Sequence, residues 1–482
     1  MNSLLPSKLK NETYAPYVGA VATIALLYST ARLLAGSSNK QNGAFKQIPV
    51  PGSSYPYVGH LLSLGNQPGR QIGKWHDELN SPIIKVKMGV QEWIMIADPY
   101  LAHKIFVTNG AHTSARPFNT FCTTLYSCNQ KGISYGEGKD WKAGRAAFLT
   151  VLSPNAVGQY MDVIEREARL LTERLVDVTE QEGSVYPISF LQLNALNVVC
   201  SVSVGKTYKT VEDPEFKEIV HMIEVNMKLA GADKDLPSFL PVLSPIGFLV
   251  EAKSEMRDHI VKIRDPLLKR LISEANIQDG PNIFKRFNEE NFTLDDESKL
   301  VILNDLLSGG MDTGNNLTNI YCLSVMKECM RLKPTTPFGL PHEATSEFIV
   351  DDYLIPKGAT LLCSMDKIHR SENFYPRANE FIPDRFMNDS KLMNTAANGK
   401  IHERDQFNFG FGRRICPGIY LAEVEMYCAF ISVLSNCRLD PIKDSRGNPV
   451  YPDIDDVLDN GIVQSPVPHK IKFVKRHTTK LA

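Results

Sequence analysis

The chain has 482 residues, 43% of them hydrophobic and 22% charged, with a formal net charge of −1. That balance suits a globular protein with a large core and gives no basic surface of the kind a nucleic-acid partner needs. The 9 cysteines lack paired metal-binding spacing, and their odd number reads as reduced thiols in a cytosol-facing body.

In chain order, the first distinctive stretch is Tyr14 to Leu34. Of its 21 residues 15 are apolar, nearly enough to span a bilayer. A signal-anchor and a cleaved signal peptide both fit, the latter because Ala35, Gly36 and Ser37 follow the apolar run. Lys8 and Lys10 precede the span, and Arg32, Lys40 and Lys46 lie at or beyond its end, so charge leaves the orientation open. Ser37 to Gly43 is a polar linker, and the prolines of 48–56 stiffen the exit from the span. Ile83 to Met88 and Trp93 to Ile96 predict a hairpin around Gly89. Asp98 and Pro99 predict a helix start, as cap and first residue. Positions from about 156 to 307 follow a helical period. Phe348–Val350, Tyr353–Ile355 and Thr360–Cys363 predict a second strand cluster, with turns at 351–352 and 356–358. The chain therefore reads as mainly α with small β-sheets.

The most informative stretch is Phe409-Gly-Phe-Gly-Arg-Arg-Ile-Cys-Pro-Gly418. It has the form F-x-x-G-x-R-x-C-x-G, whose five fixed positions chance would assemble on the order of once in ten thousand such chains. Gly410, Gly412 and Gly418 are expected to let the backbone fold closely around the Cys416 sulfur. Pro417 is expected to open a helix over the apolar run Ile419 to Leu434. Its N-terminal dipole, nearby positive charge and backbone N–H groups are expected to lower the thiol pKa. A lone cysteine is usually a buried structural residue; the complete motif argues otherwise. Elsewhere, Glu328 and Arg331 share one helix face, as do Trp141 and Arg145. The first spacing is also that of ordinary surface ion pairs. Gly309-Gly-Met-Asp-Thr313 sets two glycines before an acid–alcohol pair. Glycines there are expected to loosen the helix and admit a ligand, although Gly-Asn-Asn at 314–316 also reads as a helix stop.

The cysteine loop resembles the haem-thiolate signature of the cytochrome P-450 family, and the resemblance runs over roughly Pro49 to Val474. It implies that family's mainly α fold behind one N-terminal transmembrane helix. The implied parts are an anchor at 1–36, a polar and proline-rich hinge at 37–56 and a haem domain at 57–482. The implied cofactor is haem b, with Cys416 as the axial ligand whose sulfur donates electron density that helps split bound oxygen. Phe409 is implied to pack against the sulfur loop, which Gly418 completes. Trp141, Arg145, Arg414 and His342 are implied to hold the haem propionates, though a core or surface histidine fits His342 as well. Phe381-Ile-Pro-Asp-Arg-Phe386 is similar to the family's P-x-R-F element. Glu328, Arg331 and Arg385 are thus implied to form a buried triad behind the proximal face, with a solvated charge cluster as the alternative. Asp312 and Thr313 are implied to deliver protons to the oxygen being reduced.

The implied activity is a monooxygenase of the endoplasmic-reticulum membrane with its catalytic body in the cytosol, of a fungal microsomal type. Electrons would come from NADPH through a diflavin reductase, with cytochrome b5 as an optional second donor, and oxygen would enter a lipophilic small molecule. Lys139, Lys142 and Arg413 are candidates for reductase docking, or plain surface charge. Substrate contacts are expected from Ser114 to Tyr126, containing Phe118 and Phe121, and from Gly461-Ile-Val463; simple packing is the alternative. Apolar Leu236 to Leu243 is expected against the bilayer.

The interval after Thr313 departs from the family. Only 15 positions separate it from Glu328, where the family places the rest of a long helix and one helix more. Even fully helical they would span about 22 Å, and Gly314, Asn315 and Asn316 disfavour helix. A core segment is expected to be missing after about residue 313. Three functional readings arise. One is a working monooxygenase; another is a haem-binding pseudoenzyme or defective isoform. The third, a haem-thiolate isomerase or dehydratase, is disfavoured by the Asp312–Thr313 pair.

Overall fold

The computed structural model describes residues 45–314, 322–387 and 391–476, apart from 53, 244–246, 279, 291, 293 and 454. Seven long helices position the site: α1 (Gly138–Val151), α2 (Met161–Glu182), α3 (Ile188–Val204), α4 (Pro214–Leu229), α5 (Asp296–Gly314), α6 (Cys322–Leu332) and α7 (Ile419–Asn436). α2 buries Ile164, Ala168, Leu171 and Leu175, one stripe at helical spacing. It stops where Gly183 turns left-handed. α3 is different: nearly every residue from Leu193 to Val204 is buried. A helix apolar on all sides has to lie inside. Here α5 packs along α3, α3 along α2, and α2 along α7.

The contact of α5 with α3 is close because Gly310 has no side chain. A Cβ there would stand 2.2 Å from Val199 Cγ2. The sequence assigned both glycines to ligand access. Gly310 instead serves helix packing, and Gly309 lines a cavity.

Strands β1 (Ile83–Met88) and β2 (Gln91–Ile96) form the expected hairpin, with Ile83 opposite Ile96 and Met88 opposite Gln91. Asp98 caps the next helix as predicted, its Oδ1 accepting from Leu101 N at 2.7 Å. β3 (His342–Glu343), β4 (Phe348–Val350), β5 (Tyr353–Ile355) and β6 (Thr360–Cys363) follow. The predicted second cluster divides. β4 and β5 pair with each other, while β6 runs parallel to β2 and carries β3 on its far side, giving a sheet of order β1-β2-β6-β3. β7 (Cys437–Lys443), β8 (Pro449–Val450), β9 (Val457–Asp459), β10 (Gln464–Pro466) and β11 (Ile471–Lys475) make two small C-terminal sheets. From Lys46 onward the expected hinge is docked on the domain: Lys46 N donates to Asp352 O at 2.9 Å, and Lys85 N donates to Pro49 O at 2.8 Å. The anchor span 14–34 lies outside the described residues. Among the described residues no helix is long and apolar enough to cross a membrane.

α6 is fixed by its charges. Glu328 accepts from Arg331 Nε at 2.7 Å and from Nη2 at 2.8 Å, and both side chains are fully buried. Arg331 Nη1 also donates to His369 O and Ala378 O, each at 2.7 Å. Glu328 Oε1 accepts further from Ile382 N at 2.8 Å and from Arg385 Nε at 3.2 Å. The Glu328–Arg331 pair thus joins α6 to the segments 369–380, through the guanidinium, and 382–385, through the carboxylate, in a buried rather than solvated arrangement.

Two substitutions test these contacts by urea unfolding. Gly310→Ala is expected to lose about 1–3 kcal/mol through overpacking, and Val199→Ala in the same chain is expected to restore part of it. Additive losses would show that α5 does not rest on Val199. Glu328→Gln is expected to lose about 3–5 kcal/mol by leaving Arg331 buried without its carboxylate. A loss below about 1 kcal/mol would place the pair in the class of surface bridges.

Candidate haem-thiolate site

The loop before α7 is pinned by its own backbone and by a neighbour. Cys416 N donates to Phe409 O at 2.8 Å, and Arg404 Nη2 donates to Gly410 O at 2.7 Å. Gly412 sits at φ 56°, and a Cβ there would meet Phe106 O at 2.3 Å, so this position requires glycine. Gly418 has ordinary backbone and acts as the cap of α7, which begins at Ile419. Pro417 therefore precedes the helix instead of opening it. A Cβ on Gly418 would lie 3.8 Å from the Cys416 sulfur. Phe409, 7% exposed, packs in one apolar cluster with Cys416, Ile415 and Met426. Burial pushes the Cys416 thiol up, against the downward pull of the Gly418 N–H and the Arg145 charge. The sequence reading had those two prevailing. A metal bound to this sulfur would reverse the balance, because a coordinating thiol is deprotonated outright.

Beside this loop three arginines converge. Arg145, one turn after Trp141 on α1, donates from Nη2 to Ile415 O at 2.5 Å. Arg414 lies over the Trp141 ring, 4.0 Å from its centroid, and donates Nε–H to Ser114 O at 2.8 Å. Arg116 is buried and donates to Ser134 O at 2.8 Å and to Pro341 O at 2.7 Å. Burial pulls all three guanidinium groups down in pKa. The charges of Arg116 and Arg145 pull Arg414 further, to about 9, while Glu137 opposes them. Arg414 Nη1 is buried without a hydrogen-bond partner. Surplus positive charge and an orphaned N–H fit an anionic group that the polypeptide does not supply. Carboxylates of a haem would be such a group, so these residues fit the cofactor.

His342 lies at the same place but in a different chemical state. Its Nδ1 donates to Thr113 O at 2.7 Å, and burial with the Arg116 and Arg414 charges holds its pKa down to about 3. The neutral ring has then used its one N–H. It could donate to a propionate only as the imidazolium. Arg116 was not singled out from the sequence. It is a lone arginine in the loop read as substrate-facing, and only its burial marks it.

A cavity enclosing about 1050 Å³, its opening included, lies between the cysteine loop and the distal helices. Phe409 and Met426 line one side of it; Ser308 and Gly309 of α5 and Met227 of α4 line another. Ile462 and Val463 enter it as expected. They do so because Gly461, at φ 93°, lets the turn between β9 and β10 press on Met227 O, where a Cβ would stand 2.2 Å away. The expected loop residues Phe118 and Phe121 do not line it. Phe118 is 63% exposed and Phe121 is fully buried, whereas Cys122 and Tyr126 reach the cavity. Of the stretch expected on the bilayer, Phe239 and Leu240 are buried against the β1–β2 hairpin and Val242 is exposed. Lys139, Lys142 and Arg413 are exposed. Asp312 and Thr313 belong to α5, but their side chains lie outside the described residues.

The family profile described as Cytochrome P450 matches the chain in two pieces, residues 49–320 and 317–473. The chain is similar to Cytochrome P450 CYP82J17 of Trigonella foenum-graecum, 24% identical over 473 aligned residues, 84% of this chain and 87% of the relative. It is similar to Cytochrome P450 monooxygenase 79 of Postia placenta at 22% identity, covering 89% and 90%. A shorter similarity, 34% over 159 residues, links it to Cytochrome P450 monooxygenase yanC of Aspergillus niger, covering 32% of this chain and 30% of that one. With its thiol loop, its arginine cluster and a profile match over most of its length, this chain belongs to the cytochrome P450 family of haem-thiolate monooxygenases.

Proposed function

We propose that this chain is a membrane-anchored monooxygenase carrying haem b. It inserts one oxygen atom from O2 into a lipophilic small molecule, with NADPH-derived electrons, and releases the other as water. The observation that supports this reading is the joining of the Cys416 loop to the Arg116, Arg145 and Arg414 cluster, with Arg145 on Ile415 O and Arg414 on Ser114 O, next to a cavity that Phe409 and Ser134 line. Haem, when bound, supplies the iron chemistry that activates oxygen. Cys416 would hold the metal through its thiolate. Arg414, Arg145 and Arg116 would hold the propionates, with Trp141 as the plate under Arg414, and neutral His342, its N–H on Thr113 O, packs beside them. Phe409 closes the sulfur loop, and Gly418 caps the helix that follows it. Thr313 holds a proton at its hydroxyl and Asp312 relays its replacement from solvent. Glu328, Arg331 and Arg385 keep the proximal segments in place. A diflavin reductase, with cytochrome b5 as a second donor, is drawn to exposed Lys139, Lys142 and Arg413. Tyr14 to Leu34 is the anchor in the endoplasmic-reticulum membrane, with the catalytic domain in the cytosol.

A second reading, a haem-binding chain without turnover, has specific support. The two pieces of the family match meet at 317–320, inside the short interval between Thr313 and Glu328. The 473 aligned positions shared with the Trigonella relative contain only 84% of these 482 residues. Several tens of positions therefore stand opposite gaps in this chain. A segment missing between α5 and α6 would expose apolar faces that packed on it, and core losses are the expensive kind.

The carbon-monoxide difference spectrum of the reduced chain tests the first reading. Cys416→Ser is expected to abolish the thiolate-type Soret shift, and a shift that survives would place the ligand elsewhere. On the second reading, inserting the corresponding segment of a relative after residue 313 would raise haem occupancy and start NADPH consumption with reductase. Full occupancy and turnover without the insertion would remove the second reading.

A further inference from the structure

Behind the cysteine loop lies a buried cation without a paired acid. Arg404 is 5% exposed and, among the described residues, forms no ion pair. The acid beside it in sequence is committed elsewhere: Asp405 meets Lys327 Nζ of α6 at 3.0 Å, both side chains fully buried. Arg404 Nη2 donates to Gly410 O at 2.7 Å, while its Nε is buried without a hydrogen-bond partner. The guanidinium lies 4.5 Å from the centroid of the Phe411 ring and 4.8 Å from that of Phe407. Its hydrogen bond and both ring contacts thus fall within 407–411, where the chain enters the cysteine loop. Burial holds its pKa down to about 10, against the pull of Tyr375, Asp405 and Cys363. A charge buried without its counter-ion is a poor device for stability.

Its surroundings suggest another use. Phe407 and Phe411 stack at 5.4 Å with planes 13° apart, and Phe411 stacks on Phe106 at 5.8 Å. Phe106 packs 4.7 Å from the His342 ring, beside the arginine cluster. Gly410 turns left-handed at φ 78°, and its N–H donates to Phe407 O at 2.9 Å. Arg404 takes the carbonyl of the same residue, so both polar groups of Gly410 are fixed. The Cys416 N–H returns to Phe409 O, one position earlier. Residues 404 and 405 therefore face two ways: Asp405 onto α6, and Arg404 onto the loop that carries the sulfur.

We propose that Arg404 is a positioning residue for the haem-thiolate site: its guanidinium, laid on Phe407 and Phe411 and bonded to Gly410 O, holds the cysteine loop in the form in which Cys416 binds a metal. The rings set where the cation lies, and the cation sets where the Gly410 carbonyl points. An apolar side chain of similar length would fill the same space without holding that carbonyl. The inference rests on the monooxygenase reading for what the loop binds and refines how the ligand is presented; the holding of the loop needs no haem.

The test compares wild type, Arg404→Met and Arg404→Lys, each with and without haem. Methionine keeps an apolar stem over the rings and removes the unpaired cation, so the urea midpoint is expected to stay at the wild-type value or rise. In the haem-free chain the Cys416 amide of Arg404→Met is expected to exchange with deuterium roughly ten- to hundredfold faster, from the loss of one hydrogen bond with a charged donor. With haem, the reduced carbon-monoxide spectrum of Arg404→Met is expected to lose most of its thiolate-type band, and Arg404→Lys to keep it, since an ammonium over the rings still donates to Gly410 O. An unchanged Cys416 exchange rate in Arg404→Met overturns the proposal. So does a thiolate-type band that is present in wild type and undiminished in Arg404→Met. A lower urea midpoint with faster exchange across the whole domain also overturns it, because Arg404 would then support the fold at large. Faster exchange confined to the loop, with no thiolate-type band in any sample including wild type, keeps the positioning role and discards the monooxygenase reading.

Discussion

Three arginines that cannot neutralise one another, Arg116 buried and Arg145 and Arg414 half-buried, are the constraint on which the site depends. Arg116, Arg145 and Arg414 come from a loop, from α1 and from the cysteine loop, and Glu137 offsets only part of their charge. Such a group is expensive to bury unless an anion completes it. The protein spends their remaining donors on carbonyls of Ser114, Ser134, Pro341 and Ile415, which ties the loop, α1 and the cysteine loop into one frame. The frame is therefore both the anion receptor and the support that holds the cysteine loop. Both roles follow from the same hydrogen bonds.

Close backbone approaches make that frame possible. Gly412 meets the Phe106 carbonyl, Gly461 meets the Met227 carbonyl, and Gly310 meets Val199. Each brings a segment nearer its neighbour than a side chain allows. Behind them the Glu328 carboxylate gathers Arg331, Arg385 and a backbone N–H. The proximal side is thus specified by dense polar contacts, whereas the cavity wall near Val463 and Leu340 is apolar and specified by shape. That division suits a site that must hold one cofactor rigidly and admit a variable small molecule.

Local features were legible in the sequence. The hairpin of β1 and β2, the Asp98 cap and the β4–β5 pair follow from alternation and turn residues within a few positions. The cysteine loop was legible because its spacing is specific. The parallel pairing of β6 with β2 was not, because strand partners more than two hundred positions apart leave no local pattern. Arg116 and Arg404 were missed for the same reason: each is a lone polar residue whose meaning comes from burial. Gly310 was misread because a glycine that admits a ligand and one that admits a neighbouring helix look alike in a sequence. Pro417, read as opening α7, stands two positions before its first residue, Ile419, and helix ends are where such readings are least certain.

The central claim is that the arginine cluster is built for the carboxylates of a haem. The direct measurement is a Soret titration of the haem-free chain with iron protoporphyrin IX and with its dimethyl ester, which keeps the metal and ring and removes both negative charges. The account expects the ester to bind at least about tenfold more weakly, as the loss of charge-assisted hydrogen bonds dictates. Equal affinity for the two would contradict it.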